Sequence, residues 1–464
     1  MLKIGFLINS IRYFSSQSTI PNICIVGAGP AGFYATQQIL KSIGNVKVDI
    51  IERLPVPYGL VRFGVAPDHS EVKNVINTFA KIAKDKRVQF LGNINVGCNI
   101  SIEELRQHYH AVLLTYGAEE DKTLDIPGEN LKNVISAKSF VGWYNGNPKE
   151  KDLDINLNTE DAVILGQGNV AIDVARILLS PIDKLKNTDI TCYSLEKLAE
   201  SNIKRVWLVG RRGPLQAAFT IAELREMLKL ENCKTYWRTD DFKGIKEIIC
   251  DLARPRKRLT ELMLKSIEDA KVDNRECLKE FHPIFLRGPV EFSGLNSVEK
   301  IKFSVNELQG QDLLNQIAKS STTVEEISTG LAVKSIGYKS IPIDSNIPFD
   351  LRNGRILNAS GKVEDGLYAA GWVATGPVGV ILSTMTNAFK VGQLLSKELD
   401  CTHKRDGYEQ LKNIFQQRGL CPITFEGWEQ IDKEECARGK KLGKPREKIV
   451  DISEMIEIAQ VEIP

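Results

Sequence analysis

Two glycine-rich segments of this chain have the spacing that holds a dinucleotide pyrophosphate. The first, Gly27-Ala28-Gly29-Pro30-Ala31-Gly32, follows the apolar run Ile23-Cys24-Ile25-Val26; the second, Gly166-Gln167-Gly168-Asn169-Val170-Ala171, follows Ala162-Val163-Ile164-Leu165. A strand that ends in such a loop and turns into a helix offers unpaired backbone N–H groups and the positive end of the helix dipole to a phosphate. One such loop alone is often only a tight turn. Two in series imply two dinucleotides and electron transfer between them.

The residues after each loop select its ligand. Beyond the first, the alternation of Val46, Val48, Ile50 and Ile51 predicts a strand ending at Glu52. An acid at that strand end, about 20 residues past the loop, accepts hydrogen bonds from a ribose hydroxyl pair. Beyond the second, Arg205-Val206-Trp207-Leu208-Val209-Gly210 predicts a strand that ends in Arg211-Arg212-Gly213. Guanidinium groups pair with phosphate oxygens in bidentate fashion, whereas a carboxylate would repel a 2′-phosphate; the second loop therefore reads as an NADP(H) site. The segment between that loop and its strand, with Pro181-Ile182-Asp183 and a polar stretch to Asn202, is long and predicts an extended helix or an insertion.

The elements that must position these loops predict an α/β fold of two Rossmann-like dinucleotide-binding domains. A Pro- and Gly-rich loop, Arg53 to His69, is of the sort that wraps a ligand, with a helix expected over Val72 to Lys84. The apolar run Ala111 to Leu114 enters the small-residue turn Gly117-Ala118, and a third strand and turn, Leu367-Tyr368-Ala369-Ala370-Gly371-Trp372, leads to a helix starting near Gly379. This last unit belongs with the first domain. The expected division is a flavin domain over 19–119 and 338–464, with the NADP domain, 120–337, inserted in it.

Composition narrows the class. With 464 residues, 42% hydrophobic, the chain suits two or three domains, and its net charge of +2 argues against a general nucleic-acid-binding surface. No two of the nine cysteines stand within four residues of each other. That denies the adjacent redox pair of a disulfide reductase and the clustered thiolates of an iron–sulfur domain, and suits a reducing compartment. With five histidines and no spaced His/Cys/Asp cluster, no metal is expected. The first 18 residues carry Lys3, Arg12, several serines and no acid, the composition of a mitochondrial transit peptide. The uncharged stretch around Gly371, Gly376, Pro377 and Gly379 reads as strand, turn and buried helix rather than a membrane span.

These residues resemble the mitochondrial adrenodoxin reductase family, ferredoxin–NADP+ reductases of the glutathione-reductase-like fold. The resemblance is carried by Pro57 through His69, Val163 through Ala175, Val209 through Gln216, Arg254 through Arg258, Ser335 through Ser340 and Gly371-Trp372. It implies FAD held by Gly27, Gly29, Pro30, Ala31, Gly32, Glu52, Leu60, Val96, Trp372, Gly379, Val380 and Ile381. It implies NADP held by Gln167, Gly168, Asn169, Val170, Arg211, Arg212 and Glu223, with Gly379 near the nicotinamide.

Such an enzyme passes electrons from NADPH through FAD, one at a time, to a mitochondrial [2Fe–2S] ferredoxin on another protein. That carrier in turn feeds cytochromes P450, iron–sulfur assembly or both. NADPH gives two electrons together and the ferredoxin accepts one; a flavin handles both. His69, Asp173 and Glu223 are candidate polar auxiliaries: His69 as hydrogen-bond donor, proton relay or helix cap, Asp173 as auxiliary or helix-dipole partner, Glu223 as carboxamide holder or solvated helix residue. The basic residues Arg254, Arg256, Lys257 and Arg258 form a local patch suited to an acidic ferredoxin, or a solvated surface. A glutamate-synthase-type subunit would need cysteine-ligated clusters. A non-catalytic flavoprotein sensing NADPH would not need both loops and Arg211-Arg212 intact. The expected location is the mitochondrial matrix, with peripheral association with the inner membrane left open.

Overall fold

The computed structural model describes residues 20–272 and 275–460; the transit-peptide expectation lies outside them. Two six-stranded sheets organise the chain. In the first, the order is Lys362–Glu364, Leu367–Ala369, Ala111–Leu114, Asn22–Val26, Lys47–Ile51, Val88–Leu91, parallel except for the Lys362–Glu364 edge. Its two central strands, Asn22–Val26 and Ala111–Leu114, are buried along their whole length, because helices cover both faces. The strand Leu367–Ala369, from near the end of the chain, pairs with Ala111–Leu114, so this sheet is assembled from both ends of the sequence.

The second sheet runs Val134–Ser136, Leu331–Lys334, Asp161–Leu165, Arg205–Val209, Lys279–Ile284, Cys233–Thr235, with every pairing parallel. A three-stranded antiparallel sheet, Arg287–Ser293, Lys300–Gln309 and Ile317–Ser328, packs beside it and was not expected from the sequence. Where the chain passes between the two large sheets, Glu120–Asp121 and Tyr338–Lys339 pair antiparallel.

The helix expected over Val72 to Lys84 is two helices, Ser70–Lys73 and Ile76–Ala83. The long segment after the second loop is an insertion, Ile182–Leu185 and Cys192–Ala199, after the helix Asn169–Leu179. The uncharged stretch near Gly371 divides into strand Leu367–Ala369, helix Trp372–Thr375 and the start of Ile381–Glu398, and no helix among the described residues is long and apolar enough to cross a membrane.

Candidate functional site

The first cradle is shaped by backbone that only glycine permits. Gly27 has φ +107°, and a Cβ there would lie 2.8 Å from the carbonyl of Thr115; one on Gly32 would collide with the carbonyl of Gly27. Gly29 caps the helix Pro30–Ser42, with no side-chain cap, no acid in the first turn, and open space where its Cβ would be. The helix N-terminus therefore keeps donors free for an anion. Glu52 follows strand Lys47–Ile51, and its carboxylate accepts from the N–H groups of Ala28 (2.8 Å) and Leu54 (3.1 Å), which braces the loop. Burial raises its pKa.

The wrapping loop closes over this cradle. Tyr58 N–H donates to the Ala28 carbonyl (2.8 Å), and Gly59 comes so close to Gly29 that a Cβ would stand 3.2 Å from it. Leu60, 42% exposed, opens the short helix Leu60–Phe63, and Val96 is buried. From the far end of the sequence, Gly371 (φ +70°) packs on Ala31, and Trp372 stacks on Tyr338 at 6.1 Å. The Trp372 Nε1–H is buried without a partner among the described residues. Gly379 (φ +87°) and Val380 precede Ile381, and Val378, Val380 and Leu382 are exposed by 75%, 51% and 63%. An orphaned buried donor, an open anion-binding helix end and an uncovered apolar rim fit a flavin dinucleotide.

The second cradle repeats the geometry with different chemistry. Gly166 (φ +139°) abuts the Ser335 carbonyl, and Gly168 caps the helix Asn169–Leu179 with open space beyond it. Gln167 donates to the carbonyls of Leu208 (2.9 Å) and Ile284 (3.0 Å), while its buried Oε1 has no partner among the described residues. Asn169 accepts from Thr220 N–H (2.8 Å), and Val170 is half-buried in the same helical turn. Arg211 and Arg212 stand exposed at the strand end.

The basic run does not form one patch. It opens the helix Arg254–Val272, where residues two apart point to opposite sides. Arg254 and Arg258 are exposed and Lys257 is half-buried, whereas Arg256 turns inward and donates to the Ala217 carbonyl (2.7 Å). Burial and Arg211 lower the pKa of Arg212; burial and Arg212 lower that of Arg256. None of these three guanidiniums forms an ion pair with a carboxylate among the described residues.

Between the cradles lies a charged seam. Arg176, 4% exposed at its side chain, pairs with Asp68 through Nε (2.6 Å) and Nη2 (3.0 Å), with Asp173 (2.8 Å) and with Glu223 (3.2 Å). His69 bonds Glu226 at 2.7 Å and stands 4.0 Å from both Asp173 and Glu223. The three auxiliaries named from sequence thus converge, within 4.8 Å of one another, close enough to ligate one ion. Arg176 is the cation already serving these carboxylates. Burial raises the Asp173 pKa, and burial together with Asp173 pushes Glu223 up to about 7. Burial and Arg176 oppose the imidazolium of His69, but Glu226, Asp173 and Asp68 outweigh them and raise its pKa.

The chain is similar to known proteins over nearly its whole length. The pyridine nucleotide-disulphide oxidoreductase family matches residues 21–228. The mitochondrial NADPH:adrenodoxin oxidoreductase of Drosophila melanogaster is 51% identical, the match covering 99% of this chain and 98% of that one. The human protein of the same name is 47% identical over 96% and 94%. The chain belongs to the NADPH:adrenodoxin oxidoreductase family. Among solved structures, Mycobacterium tuberculosis FprA in complex with NADPH superposes with a TM-score of 0.90 at 36% identity, covering 95% of this chain and 99% of that one.

Within this adrenodoxin oxidoreductase fold, several site residues escaped the sequence reading. Asp68, Arg176 and Glu226 complete the seam, and Tyr338 stacks on Trp372. Asp68 lies within the Pro57–His69 motif and Arg176 one residue past the Val163–Ala175 motif, but partners 108 residues apart leave no local pattern. Arg256 was legible: helical periodicity separates it from Arg254 and Arg258.

Proposed function

We propose that this chain is an FAD-dependent NADPH:ferredoxin oxidoreductase of mitochondria, passing electrons to an acidic [2Fe–2S] ferredoxin of the adrenodoxin type. The observation that carries the reading is the pairing of two glycine cradles of opposite chemistry, Glu52 in one and three unneutralised guanidiniums in the other, joined by the Asp68–Arg176 seam and the Tyr338–Trp372 stack. When bound, the nicotinamide and flavin supply hydride transfer and the conversion of an electron pair to single electrons.

The chain's own residues bind and orient. The helix ends after Gly29 and Gly168 hold pyrophosphates. Glu52 accepts from a ribose, and Arg211, Arg212 and Arg256 hold the 2′-phosphate. Leu60, Val96, Trp372 and Gly379 to Ile381 shape the flavin pocket. Glu223 holds the nicotinamide carboxamide, and His69 and Asp173 hold a proton beside it. Arg254 and Arg258, with Lys257, face an acidic partner, and their long-range field steers and orients it. The domain division 19–119 and 338–464 around 120–337 is supported by the two sheets and by the paired crossing strands Glu120–Asp121 and Tyr338–Lys339. The location we propose is the matrix, with association at the inner membrane surface tested by carbonate extraction of isolated mitochondria.

The test is purification of residues 19–464, a flavin spectrum, and mixing with NADPH, a mitochondrial [2Fe–2S] ferredoxin and cytochrome c. Ferredoxin-dependent cytochrome reduction that prefers NADPH to NADH is the expected result. Flavin reduction without ferredoxin turnover would remove the proposed acceptor.

A further inference from the structure

The insertion between the second glycine loop and strand Arg205–Val209 carries a buried charge cluster outside both glycine cradles. The turn between its helices delivers Asp189, whose carboxylate is 12% exposed and takes two hydrogen bonds from Lys73 Nζ (2.6 and 2.8 Å) and an ion pair from Lys448 Nζ (3.0 Å). Lys448, 1% exposed at its side chain, also donates to the Asp189 carbonyl (3.2 Å). Two lysines from the flavin side of the molecule thus converge on one carboxylate of the nicotinamide side.

Each lysine leads back to the site. Lys73 ends the short helix Ser70–Lys73; at its other end, Asp68 is held by Arg176 (2.6 Å) and His69 by Glu226 (2.7 Å). The six residues from Asp68, at the end of the wrapping loop, to Lys73 are therefore tied to the second unit at both ends, His69 among them. Lys448 lies two residues beyond Arg446, which pairs with buried Glu435 (3.0 Å). Glu435 in turn binds the Arg62 guanidinium in the flavin-loop helix Leu60–Phe63. The Lys444 ammonium donates to the Ile190 carbonyl, and Cys192 N–H donates to Glu447 (3.0 Å), next to the same turn. Both routes from the flavin loop end at Asp189.

We propose that Asp189 is a positioning residue for hydride transfer: by anchoring Lys73 and Lys448 it fixes the angle between the nicotinamide and flavin units and the place of His69. The proposal rests on the reductase reading above. It deepens that reading by giving the insertion a role in the chemical step rather than in binding. Hydride transfer demands near-contact geometry, and a displacement of about 1 Å costs on the order of 100-fold in rate.

The experiment is stopped-flow reduction of the bound flavin by NADPH in the holoenzyme, comparing wild type, Asp189→Asn, Asp189→Glu and the double variant Asp189→Asn/Lys448→Met. The double variant removes one buried lysine charge along with the carboxylate, and so serves if Asp189→Asn alone does not fold. Expected are a 10- to 100-fold fall in the reduction rate, an NADPH dissociation constant within about threefold of wild type, unchanged FAD content, a weakened long-wavelength nicotinamide–flavin absorbance band, and partial recovery in Asp189→Glu. A folded charge-removing variant that transfers hydride at the wild-type rate, whatever its melting temperature, overturns the proposal. A wild-type flavin that NADPH leaves oxidised overturns the reductase reading itself, so the two failures are told apart.

Discussion

Coenzyme choice offers the sharpest perturbation, because three guanidiniums with no carboxylate partner among the described residues suit an anion and NADH lacks one there. A hydrogen bond to a charged group is worth about 1.5–3 kcal/mol. Arg211 and Arg212 are exposed, which places them near the lower figure. With about 1.4 kcal/mol per tenfold, Arg211→Ala or Arg212→Ala should each raise the Michaelis constant for NADPH about 10-fold. The pair should reach roughly 30- to 100-fold, below the product because neighbouring sites are not additive. Arg256 is half-buried and already bonded to the Ala217 carbonyl, so Arg256→Ala should cost less, about 3- to 10-fold. The constant for NADH should stay within about twofold in every variant, since the lost bonds serve only the 2′-phosphate. Ferricyanide as acceptor keeps the ferredoxin out of the assay. A parallel rise for both coenzymes would mean that the loop collapsed rather than lost a phosphate ligand. An unchanged NADPH constant would refute the assignment outright.

Buried Asp49, bonded by the Tyr109 hydroxyl at 2.7 Å, has its pKa pushed up to about 6 by desolvation. A pKa raised in the folded state gives stability that is full below the unfolded value and lost as pH rises through the folded one. Asp49→Asn should therefore stabilise the protein at pH 7.5 by up to about 3 kcal/mol and raise its melting temperature there, with most of the gain lost at pH 4; thermal melts at the two pH values check this. Glu223, raised to about 7 by burial and Asp173, should make NADPH-driven flavin reduction fall as pH rises through neutrality, and Glu223→Gln should flatten that profile in stopped-flow measurements. Replacing Arg254 and Arg258 by Gln should weaken ferredoxin reduction and reduce its salt dependence while sparing ferricyanide reduction; equal losses on both acceptors would make the patch structural.

Both cradles were readable from the sequence because their causes are local. A glycine at φ +107° or +139°, and an acid or arginine at the next strand end, are decided within about 50 residues of chain. The resemblance added Leu60, Val96 and the Gly379 turn, which no local rule singles out. What stayed hidden were pairings fixed by tertiary folding: Arg176 with Asp68, Lys448 with Asp189, Arg62 with Glu435. A charged residue that will be buried and paired looks, in sequence, like any solvated one. The antiparallel sheet from Arg287 to Ser328 was missed for a different reason: its outer strand, Ile317–Ser328, is largely polar and exposed, so it lacks a sustained apolar alternation.

The return of strand Leu367–Ala369 to the side of Ala111–Leu114 also sets an order of assembly. Every strand of the second sheet lies between Val134 and Lys334, so that unit is complete as synthesis or import proceeds from the N-terminus. The first sheet must wait, with one edge open, for almost the whole chain. Closing so long a loop adds little to the equilibrium cost, because that cost grows only logarithmically, but it slows the folding of the unit that needs it. Flavin capture then becomes the last event in maturation. A polypeptide that stops short of Trp372 would still build its nucleotide-binding second unit and remain colourless.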